Sequence, residues 1–233
     1  MLINDPKILG TLFLGGIVPS LFWLWFWLRE DRKNPEPKGL LALVFLLCMA
    51  GVYLVLPIQK IIEGFSLPGT WELAAWASVE ELMKFVLVFI IVANTGQADE
   101  PTDWPIYLIT GALGFAALEN ILFLLKPLSL GQTAVGLLTG HLRFLGSTLL
   151  HAVSSGIIGI SLGLSFFSGS GVKKAYLLFG IVFAIALHSM FNFFIMKNGG
   201  SDFMKVFAFL WIAAIIVFLV FEKLRRMNLS VNQ

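Results

Sequence analysis

Charge is what this chain has least of. Of its 233 residues only 13% are Asp, Glu, Lys or Arg, and 58% are hydrophobic. A soluble domain is normally about one-quarter charged. The charges that do occur fall mostly between long apolar runs, which excludes a large soluble core and marks a polytopic membrane protein. Cys48 is the only cysteine, so an intramolecular disulfide and a cysteine-based metal site are both excluded. No basic stripe with interleaved aromatics is present, which argues against a nucleic-acid partner. The HisGluXaaXaaHis signature of soluble zinc proteases is also missing. Residues 1–7 are not basic and no small-residue cleavage site follows the first apolar run, so that run reads as a spanning helix rather than a cleaved signal.

What is present is helix-forming apolar sequence in lengths of about 20 residues, enough to cross the hydrocarbon core. The predicted fold class is all-α: a polytopic transmembrane helical bundle of about seven helices, forming one integral membrane domain over 1–233. Candidate spans are 8–28, 39–60, 71–93, 105–125, 141–166, 175–196 and 203–222. The short, glycine-bearing stretch 127–140 reads as re-entrant or interfacial. Tryptophans 23, 25 and 27, with Phe207, Phe209 and Trp211, read as lipid-facing and interfacial anchors.

Seven spans place nine Lys and Arg on one side, among them Arg29, Arg32, Lys33 and Lys38, and five on the other, including Lys197. The positive-inside bias then puts the N-terminus outside and the C-terminus in the cytoplasm of a plasma membrane. In this frame the costly residues of four consecutive spans fall in one layer, roughly 9–15 Å below the outer surface at 1.5 Å per residue. An ionisable group inside a span is expensive and is retained when it is paired, hydrated or functional.

The layer begins with GluGluLeuMetLys at 80–84, where Lys84 lies one turn beyond both acids and can neutralise one of them. The other acid is left to hold a proton or orient a water. A buried ion pair locking two helices is the plain alternative, but a lock needs only one acid. Glu119 and Asn120 follow in PheAlaAlaLeuGluAsn (115–120), then Arg143, Ser147 and His151 at helical spacing, then His188 and Asn192. His151, His188 and Glu119 form a candidate Zn²⁺ set with a fourth place for water, and Glu80 or Glu81 would act as the base beside it. The same residues can also work without metal, with a glutamate activating water while His188 and Asn192 stabilise the oxyanion. Small residues at 155, 159 and 163 read as a helix-packing stripe.

GluGluXaaXaaLys, PheXaaXaaXaaGluAsn, ArgPheLeuGlySerThrLeuLeuHis and HisXaaXaaXaaAsn, in this order on successive spans, resemble the PrsW family of intramembrane proteases. The resemblance covers about residues 71–196 and extends to the wider group of CAAX-processing membrane proteases. It implies a bacterial intramembrane endopeptidase, metallo- or glutamate-type, that cuts a membrane-protein or peptide substrate near the extracytoplasmic boundary, as the prototype does with an anti-sigma factor. It implies catalytic roles for Glu80, Glu81, Lys84, Asn120, Arg143 and Asn192, with Glu119, His151 and His188 as metal ligands. The superfamily also includes non-catalytic scaffolds, so a scaffold or receptor is the alternative. A proton-coupled transporter would more typically show broken helices and internal repeats.

Overall fold

The apolar runs become seven long helices in the computed structural model, which describes residues 5–30, 34–196 and 202–231, with side chains to 227. They are α1 (Pro6–Glu30), α2 (Lys38–Gly64), α3 (Gly69–Val92), α4 (Asp103–Ser129), α5 (Thr133–Leu164), α6 (Ser170–Met196) and α7 (Phe203–Val231). No strand occurs among the described residues. All but α3 are long and apolar enough to cross a membrane. With 24 residues α3 spans about 36 Å, but it carries Glu72, Glu80, Glu81 and Lys84. Arg32, Lys33 and Lys197, which enter the orientation count, lie outside the described residues.

The centre of the bundle is α4, which is buried continuously from Pro105 to Leu118. A helix that is apolar all round has to be enclosed by others, and α1, α2 and α5 enclose this one. Two glycines set the distances. A Cβ on Gly114 would lie 2.1 Å from the Phe45 carbonyl oxygen of α2, and one on Gly159 of α5 would lie 2.5 Å from Pro105 Cα. Lipid supplies little hydrophobic drive between helices, so close backbone approach is what holds them together. Of the stripe read at 155, 159 and 163, Gly159 makes this contact and Gly163 packs on Pro101 and Leu224, whereas Ser155 donates to Glu81 of α3. The outer helices expose large apolar side chains such as Leu46, Tyr53, Phe179, Phe183 and Ile212, as a bilayer-facing surface requires.

Two expectations are corrected. Residues 127–140 form no re-entrant loop: α4 runs through Pro127 to Ser129, a turn with Gly131 at φ +74° follows, and Thr133 opens α5. Gly136 packs closely on Leu128, so here a glycine marks helix contact rather than a break. Of tryptophans 23, 25 and 27, only Trp25 is largely exposed, with Arg29 over its ring. Trp23 and Trp27 are buried against Phe144, Trp211, Phe218 and Phe221.

α5 also contains one π-helical turn, Arg143–Ser147. Such turns insert one extra residue and are frequent at functional sites. This one sits where Arg143 enters the polar layer.

Candidate active site

Four helices deliver the layer. On α3, Glu80, Glu81 and Lys84 are all buried, Glu81 and Lys84 completely. Lys84 Nζ donates to Glu81 Oε1 at 2.5 Å and lies 3.0 Å from His151 Nδ1 on α5. Phe115 of α4, the first residue of its motif, covers Lys84 with its ring centroid 5.1 Å from Nζ and also packs against His151. The lysine is therefore sealed from lipid, paired with one acid and in contact with a π face.

Glu81 collects three donors. Besides Lys84, Ser155 Oγ donates to Oε2 at 2.7 Å, and His188 Nδ1 of α6 lies 2.8 Å from Oε1. A carboxylate only accepts, so His188 carries its proton on Nδ1 and keeps a lone pair on Nε2. That nitrogen faces Glu80 Oε2 at 3.6 Å. Glu80 Oε1 accepts from Gln59 Nε2 of α2 at 2.8 Å, while Glu80 Oε2 is buried with no hydrogen-bond partner among the described residues.

On the other flank, Arg143 donates through Nε to Asn120 Oδ1 at 2.6 Å and pairs with Glu119 Oε2. Asn120 Nδ2 donates to Thr148 Oγ1 at 2.9 Å, and His151 Nε2 lies 2.9 Å from Glu119 Oε2. With Lys84 as an ammonium, His151 accepts at Nδ1 and donates from Nε2 to Glu119. The His151 and His188 rings meet edge to face with centroids 5.0 Å apart.

A cavity of about 380 Å³ opens onto this centre. Glu80, Glu119, Arg143, His151, His188 and Asn192 line it together with Gln59, Trp76 and apolar side chains including Val52, Phe115, Phe123 and Phe207. Glu81 and Lys84 stand behind the wall. Every residue singled out in the sequence is thus at this centre, but the two adjacent acids of α3 differ in kind: Glu80 faces the cavity and Glu81 supports it. Gln59, Thr148 and Ser155 were not singled out as site residues. Ser155 lies one turn after His151, a spacing that could have revealed it; Gln59 lies next to the end of a span and carries no comparable signal.

The donor set fits a divalent metal. One ligand atom each from Glu80, His151 and His188 lie within 4.8 Å of one another, and two nitrogens with a carboxylate oxygen suit Zn²⁺. The orphaned Glu80 Oε2 and the free lone pair on His188 Nε2 are ready for such an ion, whereas His151 has to give up one hydrogen bond to join them. This grouping has Glu80 where the sequence reading has Glu119, whose Oε2 is engaged by Arg143 and His151.

Fold and site together define a multi-pass helical membrane protein with a carboxylate–histidine centre buried inside the bundle. Residues 36–221 match the family described as PrsW family intramembrane metalloprotease. The chain belongs to that family. It is 31% identical over 215 residues to Protease PrsW of Geobacillus kaustophilus (strain HTA426), covering 88% of this chain and 89% of the relative. Against Protease PrsW of Bacillus subtilis (strain 168) the identity is 27% over 201 residues, covering 84% and 88%. No solved structure gives a significant match.

Proposed function

We propose that the chain is an endopeptidase cutting a membrane-associated substrate, an anti-sigma-factor-like regulator by resemblance, below the extracytoplasmic boundary of a bacterial plasma membrane. Glu80, His151 and His188 would hold a divalent metal, with Zn²⁺ the ion of choice. One observation carries this reading: a buried carboxylate oxygen, Glu80 Oε2, has no hydrogen-bond partner among the described residues and stands 3.6 Å from a histidine lone pair in a cavity wall. A buried acceptor left unsatisfied is costly, so its retention points to a bound species. A zinc ion supplies Lewis acidity and a more acidic water.

The remaining work falls to the chain itself. Glu119 lines the cavity, paired with Arg143, and is placed to accept a proton from the attacking water. Glu81, neutralised by Lys84, fixes the His188 tautomer from behind. Asn192, one turn after His188, and Arg143 offer N–H donors toward a developing oxyanion. The apolar lining excludes bulk water and accepts a substrate side chain.

A second reading rests on His151, whose two ring nitrogens are both engaged. If they stay engaged, Glu80 activates water directly and no metal is required. Zinc per chain, measured with chelator sensitivity of cleavage, separates the two. The metal version expects about one zinc per chain, lost in Glu80→Gln and His188→Ala while the protein still accumulates. An active protein with far less zinc and no response to chelation would leave the glutamate version standing.

A further inference from the structure

A second cavity of about 490 Å³ adjoins the catalytic one at the N-terminal end of α3. The two share Leu73, Trp76 and Met196 in their walls, so a chain leaving one can continue into the other. Two features of this second cavity are unused by the chemistry above. The Trp76 indole Nε1 is buried with no hydrogen-bond partner among the described residues; it can only donate, and such a donor is normally satisfied. Glu72 lines the cavity beside Phe193 and forms no ion pair among the described residues.

We infer that this cavity holds the stretch of substrate polypeptide flanking the scissile bond on the side where α3 begins, and that it selects a basic residue there. The Trp76 N–H donates to a main-chain carbonyl of the extended substrate, and Glu72 pairs with a Lys or Arg side chain a few residues from the bond. The inference rests on the proteolytic reading of the site. It adds a substrate class: an apolar segment for the catalytic cavity joined to a basic flank. A polypeptide main chain brings a carbonyl every residue, which is what a lone donor in a shared wall can use, and an acid near the membrane boundary discriminates by charge.

The test uses the full-length protein in lipid vesicles with quenched fluorescent single-span peptides. Each has an apolar Leu/Ala segment and a flank in which one Lys, Gln or Glu is moved position by position. Wild type should cleave the Lys peptide better than the Glu peptide at one offset, by roughly fivefold in kcat/KM for a half-exposed pair. Glu72→Gln should abolish that preference and Glu72→Lys reverse it. Trp76→Phe should raise KM by roughly fivefold on all peptides, the worth of one hydrogen bond, with kcat and the Lys preference retained.

A binding arm separates this inference from the reading beneath it. Phe193 is replaced by a photoreactive phenylalanine in a Glu80→Gln background, and crosslinking to the same peptides is measured. Crosslinking that favours Lys, without any cleavage by wild type, keeps the cavity assignment and removes proteolysis. Cleavage with no charge preference and no crosslinking overturns the cavity assignment and keeps proteolysis. Absence of both overturns both.

Discussion

His188 presents Nε2 to Glu80 Oε2 at 3.6 Å, beyond hydrogen-bond reach. Ligand atoms sharing a tetrahedral zinc are about 3.4 Å apart, given bonds near 2.0–2.1 Å. The pair is therefore spaced as neighbours on a common ion, and what holds it so is Gln59 on one side and Glu81 on the other.

Gln59→Leu removes the donor that orients Glu80 through Oε1. Partners of this kind change metal affinity by about 10–100-fold. The variant should insert and accumulate normally, with zinc affinity lowered in that range and cleavage recovered by added zinc. Full activity without added metal would show that Gln59 does not orient the glutamate.

Glu81→Gln should behave differently from Glu80→Gln. It leaves the fully buried Lys84 ammonium without its carboxylate, and breaking a buried pair from one side costs about 3–5 kcal/mol. Thermal stability should fall along with activity, whereas Glu80→Gln should lose activity alone. Adding Lys84→Met to Glu81→Gln removes the stranded charge, and stability should return without activity. A double variant as unstable as Glu81→Gln would rule out the pair as the origin of the loss.

Glu36 lies outside the spans, in the connection before α2, where it accepts a hydrogen bond from Tyr107. Burial pushes its carboxyl above the ordinary 4.5; the contacts with Tyr107 and Asp103 pull it back, and Asp99 and Glu100 raise it further. The folded state thus binds this proton more tightly than the unfolded one. Its stabilising contribution is complete below the ordinary value and is lost as pH rises through the raised one. Melting temperature across this window should decline in wild type and decline less in Glu36→Gln. Parallel curves for the two would place the pH response elsewhere.

The proposed orientation rests on the nine-to-five distribution of Lys and Arg. A reporter active only in the cytoplasm should work when fused after Gln233, and one active only outside should work within 62–70. The opposite pattern would move the site to the cytoplasmic leaflet.

Much of this was legible in the sequence because lipid makes both signals strong. Apolar length gave the helices, and ionisable residues inside them gave the layer. What stayed hidden depended on azimuth and on partners from distant helices. The adjacent acids Glu80 and Glu81 look equivalent on paper, yet about 100° of helical rotation separates a cavity face from a packed one. Gln59 became a site residue only when α2 lay beside α3. The tryptophans of α1 read as a lipid belt because composition cannot show that α7 covers Trp23 and Trp27. In the stretch 127–140 the two glycines act differently, which their identity does not show: Gly131 turns the chain, while Gly136 packs its helix on Leu128.

Lys84 lies at the junction of α3 and α5 and, through Glu81, of α6. Turning α3 about its own axis by a single residue would carry Glu81 and Lys84 away from these partners, and a charge facing hydrocarbon costs at least about 2.5–3.5 kcal/mol. The network thus acts as a key in a slot, fixing the rotational setting of α3 against α5 and α6.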